Sequence, residues 1–188
     1  MSTENQEQID YWNNKAGKTW TELQERTDQL LNPFSQEAIA VAKINPSESV
    51  IDVGCGCGAT SLAISELGAE VTGVDVSIPM LNLARERSKN VSFIEADAST
   101  YQSSKKFDLV FSRFGVMFFA DPYKAFANLH SLSAGDGRLA FVCWQSPKNN
   151  PWMAIPGQVV RSFLPENEAQ PDPKAPGPFA FADPIYLK

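Results

Sequence analysis

Residues 49–59 read S-V-I-D-V-G-C-G-C-G-A, and no other stretch constrains the fold of this chain as tightly. Val50, Ile51 and Val53 are β-branched and favour an extended strand. Glycines at alternate positions, Gly54, Gly56 and Gly58, end it. An apolar helical pattern starts at once, over residues 60–67. Strand, glycine turn, helix is the order that lets a backbone touch a nucleotide-like ligand closely, because no Cβ stands in the way and positive φ is open. One carboxylate, Asp52, is set into the strand.

The rest of the chain repeats that alternation. Strands are predicted at 70–74, 91–94, 107–112 and 138–144, with helices at 78–88 and 122–132 between them. Ser77 is the expected N-cap of the first of these helices, and Leu81 and Ala84 its buried face. Asp121-Pro122 opens the second with an acid and a first-position proline. Alternating strands and helices imply an α/β fold, a Rossmann-like, doubly wound and mainly parallel sheet. Ahead of it, Ile9, Trp12, Ala16, Trp20 and Leu23 form one helical stripe. Asn32-Pro33 is read as a break, with a second helix over 34–44. The expected organisation is an N-terminal helical cap over 1–45, a ligand-binding core over 46–145, and a proline-rich lid or loop segment over 146–188. In that last segment, 165–178 reads as loop and 179–184 as the entry to another helix.

The formal net charge is −6. Nucleic acid and anionic membrane surfaces demand basic patches, so neither is an expected partner. No apolar run of about 18 residues is present, so no membrane span is expected. The start, M-S-T-E-N-Q-E-Q, is acidic and unlike a secretory signal. Three cysteines is an odd number, and Cys55 and Cys57 are too close for an unstrained disulfide. A reducing, cytoplasmic setting follows. The pair also suggests a metal site, but Cys143 and the one histidine, His130, are poor partners for it. No metal is expected.

Three positions share the carboxyl edge of the predicted sheet: the glycine turn, Asp75 after the second strand, and Asp97 after the third. Ligands of open parallel sheets lie along that edge. Asp75 stands where an acid accepts hydrogen bonds from a ribose diol. Taken singly, each position has a plainer reading as a tight turn, a helix cap or a turn acid; the joint placement favours a site. Asp52 at the mouth of the first strand is expected to repel a pyrophosphate and to favour a cationic, phosphate-free cofactor.

The pattern resembles the class I S-adenosylmethionine-dependent methyltransferases. The segment D-V-G-C-G-C-G matches their glycine signature, V-T-G-V-D-V-S-I-P-M-L their ribose-binding segment, E-A-D-A their adenine acid, and F-D-L-V-F-S-R-F-G-V-M-F-F the strand that brings acceptor and cofactor together. Within that class it is similar to the small-molecule branch that includes the ubiquinone and menaquinone biosynthesis C-methyltransferases. The resemblance implies a small-molecule methyl acceptor and cofactor contacts from Asp52, Gly54, Cys55, Gly56, Asp75, Val76, Met80, Asp97, Ala98, Ser112 and Arg113. Arg113 has three readings: a grip on the cofactor carboxylate, a grip on a substrate anion, or a surface charge. Phe114, Met117, Phe118 and Phe119 are core or one wall of an apolar acceptor pocket, and Trp12, Trp20 and Tyr11 are core or cover for the cofactor. No general base is evident. The resemblance also implies seven strands where five are found, so the reading is of a chain lacking its last strands, with a homo-oligomer covering the open edge as the alternative. Two other functions remain: a cofactor-binding module without turnover and an NAD-dependent oxidoreductase.

Overall fold

The computed structural model describes residues 5–161, 163 and 172–187. Five parallel strands form one sheet: β1 (Ser49–Val53), β2 (Glu70–Asp75), β3 (Ser92–Glu95), β4 (Phe107–Arg113) and β5 (Ser133–Val142). Their order is β3-β2-β1-β4-β5. The chain builds outward from β1 to β3, then crosses back to place β4 on β1's other side. Strand order therefore reverses between β1 and β4, and a crevice opens at the carboxyl ends of those two strands.

Strands buried on both faces read as near-continuous apolar runs, and the middles of β1 and β4 do so. Ile51, Val53 and Val110 face one core layer, with Leu129 and Leu132 of helix α6, introduced below. Val50, Leu109 and Phe111 face the other, with Ile64, Leu81 and Ala84.

Helices α4 (Ala59–Glu66), α5 (Ile78–Arg87) and α6 (Pro122–Leu132) lie where the sequence places them. Asp121 caps α6 by accepting from the Lys124 N–H. Ser77 stands at the N-cap of α5 but makes no side-chain cap bond. Its hydroxyl donates instead to the Trp12 carbonyl.

The N-terminal region differs from the sequence reading. It comprises α1 (Gln6–Tyr11), a π-helical segment Trp12–Ala16, α2 (Gly17–Glu22) and α3 (Gln24–Ala42). Pro33 lies inside α3 rather than between two helices. A proline leaves the carbonyl four residues earlier without its donor; here that residue is Gln29, which is exposed and can be met by water. Helix α3 ends at Lys43, in the left-handed conformation with φ 50°. Arg138 of β5 donates to the Ala42 and Lys43 carbonyls and pairs with Glu48 at 2.7 Å. The guanidinium holds the Glu48 carboxyl down to about 2.

Strand β5 starts earlier than predicted. Ser133 pairs with Phe107 and Arg138 with Leu109, so residues 134–137, expected as a turn, are an irregularity inside the strand. Among the described residues no strand follows β5, and its outer edge is unpaired. Helix α7 (Pro151–Arg161) follows instead. Much of the predicted loop over 165–178 lies outside the described residues. Residues 179–187 form turns rather than a helix, and Ala180 and Phe181 are buried in the core. No helix among the described residues is long and apolar enough to cross a membrane.

Candidate functional site

A cavity of about 420 Å³ lies in the crevice above β1 and β4. Its floor is the glycine turn. Gly54, Gly56 and Gly58 all have positive φ, at 68°, 55° and 82°. A Cβ on Gly54 would lie 2.7 Å from the Gly115 Cα, so two glycines let the loops after β1 and β4 touch backbone to backbone. The turn is tied down from beneath. Arg87 donates to the Cys57 carbonyl at 2.9 Å and pairs with Asp28 of α3 at 2.7 Å.

Asp75 ends β2 at the edge of this floor. Its Oδ2 accepts from the Gly56 N–H and its Oδ1 from the Ser77 N–H, each at 2.8 Å. A carboxylate oxygen can accept about two hydrogen bonds, so each has capacity left for the cavity. Burial raises the Asp75 pKa, and the backbone hydrogen bonds from Ser77 and Gly56 oppose that shift. Asp97, beyond β3, is buried. Its Oδ1 accepts from the Ser99 N–H, while Oδ2 is buried with no partner among the described residues. Met80, Val76 and Ala98 line the wall between these two acids.

Of the cofactor contacts implied by the resemblance, all but Asp52 and Ser112 line the cavity. Asp52 is fully buried below the turn. Its Oδ2 accepts from the Thr60 and Ser61 hydroxyls at 2.7 and 2.6 Å, and burial pushes its carboxyl up to about 6. Its Oδ1 is buried without a partner among the described residues. Ser112 is spent inside the protein. Its hydroxyl donates to the Val53 carbonyl and accepts from the Gly115 and Val116 N–H groups, which holds the two loops together.

Arg113 reaches the cavity wall. One Nη donates to the Ser35 hydroxyl at 3.1 Å, and Nε is buried without a partner. Burial lowers its pKa and the Asp52 charge resists that. Among the described residues it has no carboxylate partner within salt-bridge distance.

Beyond Arg113 the wall turns aromatic. Phe114 is in the left-handed region at φ 65°, a conformation that costs a bulky residue about 1–3 kcal/mol. It stacks on Trp144 at 4.3 Å with an interplanar angle of 8°. Phe34 and Trp152 meet this pair edge-on. Phe114, Met117, Phe118 and Phe119 all line the cavity, and all but Phe118 are buried. They are core and wall at once.

The N-terminal helices close the top. Trp12 and Trp20 line the cavity, whereas Tyr11 is exposed. Asn13 latches this cap to the loop after β2: its amide donates to the Val76 carbonyl and accepts from the Ile78 N–H. Asn5 and Gln8 of the cap also line the cavity, and sequence reading did not single them out. Their spacing of three within a polar stretch was the available signal. The three cysteines are free. Burial pushes Cys57 and Cys143 up to about 12 and Cys55 higher than its ordinary value, so none is a ready nucleophile. His130 is exposed on α6, outside the cavity. Among the described residues no group of acids, cysteines and histidines could hold a metal ion.

The methyltransferase-domain family matches residues 50–137. The chain is 36% identical over 124 residues to a malonyl-[acyl-carrier protein] O-methyltransferase of Salmonella typhimurium, covering 63% of this chain and 49% of that one. It is 27% identical over 133 residues to a demethylmenaquinone methyltransferase of Renibacterium salmoninarum, covering 69% and 56%. In fold it is similar to magnesium protoporphyrin IX methyltransferase of Synechocystis PCC 6803, with a TM-score of 0.61, 20% identity, and 78% and 79% of the two chains covered. The chain spans about half the length of the curated relatives it matches. Sheet order, glycine turn and relatives agree: over residues 50–137 the chain matches a methyltransferase domain, and it is similar to class I S-adenosylmethionine-dependent methyltransferases.

Proposed function

We propose that this chain binds S-adenosylmethionine across the ends of β1, β2 and β3 and transfers its methyl group to a small-molecule acceptor. The observation that carries this reading is the pair of acids in one cavity, Asp75 with spare acceptor capacity and Asp97 with a buried, unpartnered Oδ2. Both await donors, and the cofactor offers a ribose diol and an adenine amino group. Charge-assisted hydrogen bonds of this kind contribute about 1.5–3 kcal/mol each.

The cofactor would supply an already activated methyl group on a sulfonium. The protein's own residues bind and orient. Asp75 holds the ribose, Asp97 the adenine amino group, and Met80, Val76 and Ala98 flank the base. Gly54, Cys55 and Gly56 present backbone to the methionine part, and Arg113 pairs with its carboxylate. Asp52 and Ser112 act indirectly, by fixing the turn and the loop that Arg113 precedes. The aromatic end of the cavity receives the acceptor. Trp12 and Trp20 exclude water. Orientation of this kind supplies on the order of 7–11 kcal/mol of a transfer barrier. No cavity residue among those described is a ready general base, which favours a nucleophile that needs none: an ionised oxygen, a carbon or an amine. Three free cysteines suit a reducing, cytoplasmic setting, and the net charge of −6 suits a partner other than nucleic acid.

Calorimetric titration with S-adenosylmethionine, S-adenosylhomocysteine and NAD tests the cofactor. The first two should bind, and at about a hundredfold over Kd should stabilise the fold by about 2.7 kcal/mol. Asp75→Asn keeps the side-chain volume and should weaken both at least tenfold. Binding of NAD alone would refute the reading. Binding of S-adenosylhomocysteine with no methyl transfer to any metabolite of a panel would leave a binding module without turnover.

A further inference from the structure

The π-helical turn Trp12–Ala16 is bonded to the loop that follows Asp75. Single π turns are rare and often sit at functional sites. In this one the Trp12 carbonyl accepts from the Gly17 N–H. A carbonyl oxygen has two acceptor sites, and the second takes the Ser77 hydroxyl at 2.9 Å. Gly17 permits that approach, because a Cβ there would lie 2.2 Å from the Trp12 oxygen and 2.5 Å from the Ser77 Oγ. Asn13 grips both neighbours of Ser77. Its amide nitrogen donates to the Val76 carbonyl at 2.8 Å, and its amide oxygen accepts from the Ile78 N–H at 2.9 Å. The same nitrogen donates to the Ile9 carbonyl, which fixes the side chain against α1.

Ser77 is thus held by the cap before it, after it and at its hydroxyl, and its own N–H holds the Oδ1 of Asp75. The terminal torsion of an aspartate is broad. Which way the Asp75 lone pairs face is therefore set by two amides: Gly56 in the rigid turn, and Ser77 in a loop that the cap positions. Asn13 itself lies outside the cavity lining, so any influence it has on a ligand passes through this loop. We infer that Asn13 is a positioning residue for the cofactor: through Ser77 it sets the orientation in which Asp75 meets the ribose, which makes docking of the cap and capture of the ribose one coupled event. The inference rests on the cofactor reading above, because it gives Asp75 a diol to hold.

The test is a double-mutant cycle of Asn13→Leu with Asp75→Ala in the whole chain, read by calorimetric titration of S-adenosylhomocysteine. Asn13→Leu keeps the side-chain volume and removes both amide bonds to the loop, and it should weaken binding by about fivefold or more. Asp75→Ala should weaken it by about tenfold or more. Adding Asn13→Leu to Asp75→Ala should then change affinity by less than about twofold, because the acid through which Asn13 acts is gone. Urea unfolding reports that each variant is folded. Should Asn13→Leu not fold, the same cycle is run with Ser77→Ala, which removes only the hydroxyl bond to Trp12 and should weaken binding by about two- to threefold when Asp75 is present and not when it is absent. If wild-type protein does not bind S-adenosylhomocysteine, the cofactor reading fails and this inference with it. If wild type binds and the folded variant binds as tightly, or loses the same factor with and without Asp75, this inference alone is overturned and the latch serves stability only.

Discussion

The two sides of the cavity are built from different materials. On the β1–β2 side the wall is backbone: a turn of three left-handed glycines, held by Asp75 from above and by Arg87 from beneath. On the β4–β5 side the wall is rings: Phe114 on Trp144, with Trp152 and Phe34 at their edges. Glycine positions have no side chain to exchange, so this part of the wall fixes one ligand shape and tolerates little. A wall of rings can be altered residue by residue while the sheet beneath it stays intact. A cofactor common to many enzymes suits the first, and an acceptor that differs between them suits the second.

That contrast can be broken or sharpened by substitution. Gly54→Ala should have the largest effect. It places a Cβ 2.7 Å from the Gly115 Cα at a φ of 68°, and overpacking plus backbone strain should cost about 3 kcal/mol. Urea unfolding reads the stability, and a midpoint near wild type would show that the turn is not the rigid side. Asp52→Asn should act in the opposite direction. Burial raises this carboxyl from 3.8 to about 6, so between those values the folded state binds more protons than the unfolded one. Wild-type stability through this group therefore falls as pH rises from about 4 to 6. Removing the charge should stabilise the fold by about 2–3 kcal/mol at pH 8, and the gain should shrink as pH drops toward 4. A gain independent of pH would reject the carboxyl as its source.

Arg87→Ala removes the strap under the turn. Arg87 and Asp28 are about a quarter exposed, so the expected loss is about 1 kcal/mol, with weaker S-adenosylhomocysteine binding by calorimetry. On the ring side, Trp152→Leu should change stability by less than about 0.5 kcal/mol, because Trp152 is half exposed. A thermal melt that puts its cost above that of Arg87→Ala would reverse the comparison.

The backbone side was the more legible in sequence. Alternate glycines after a β-branched strand have few other uses, and Asp75 and Asp97 follow strands whose periodicity is plain. Asp52 is visible in sequence as an acid in the first strand, but its partners are not. Its partners are Thr60 and Ser61, and a hydroxyl pair in the first turn of the following helix is the mark of an acid turned inward. The same holds for Ser112, since nothing local says that its hydroxyl bridges two loops. Pro33 was read as a break because local preference ignores the tertiary contacts that carry α3 through it. The ring side depends on Phe114 taking a left-handed φ, which no propensity anticipates. Trp144 and Trp152 join it only through the pairing of β4 with β5 and the return of α7.

Helix α5 borrows the acceptor for its first amide from Asn13, a residue 65 positions earlier that belongs to the cap. Capping of one helix is thus conditional on docking of another. The Ile78 proton is sheltered from exchange with solvent while Asn13 is latched and released when it lets go. The rate at which that single amide takes up deuterium is therefore a clock for opening of the cavity, and a ligand that keeps the cap closed will slow it.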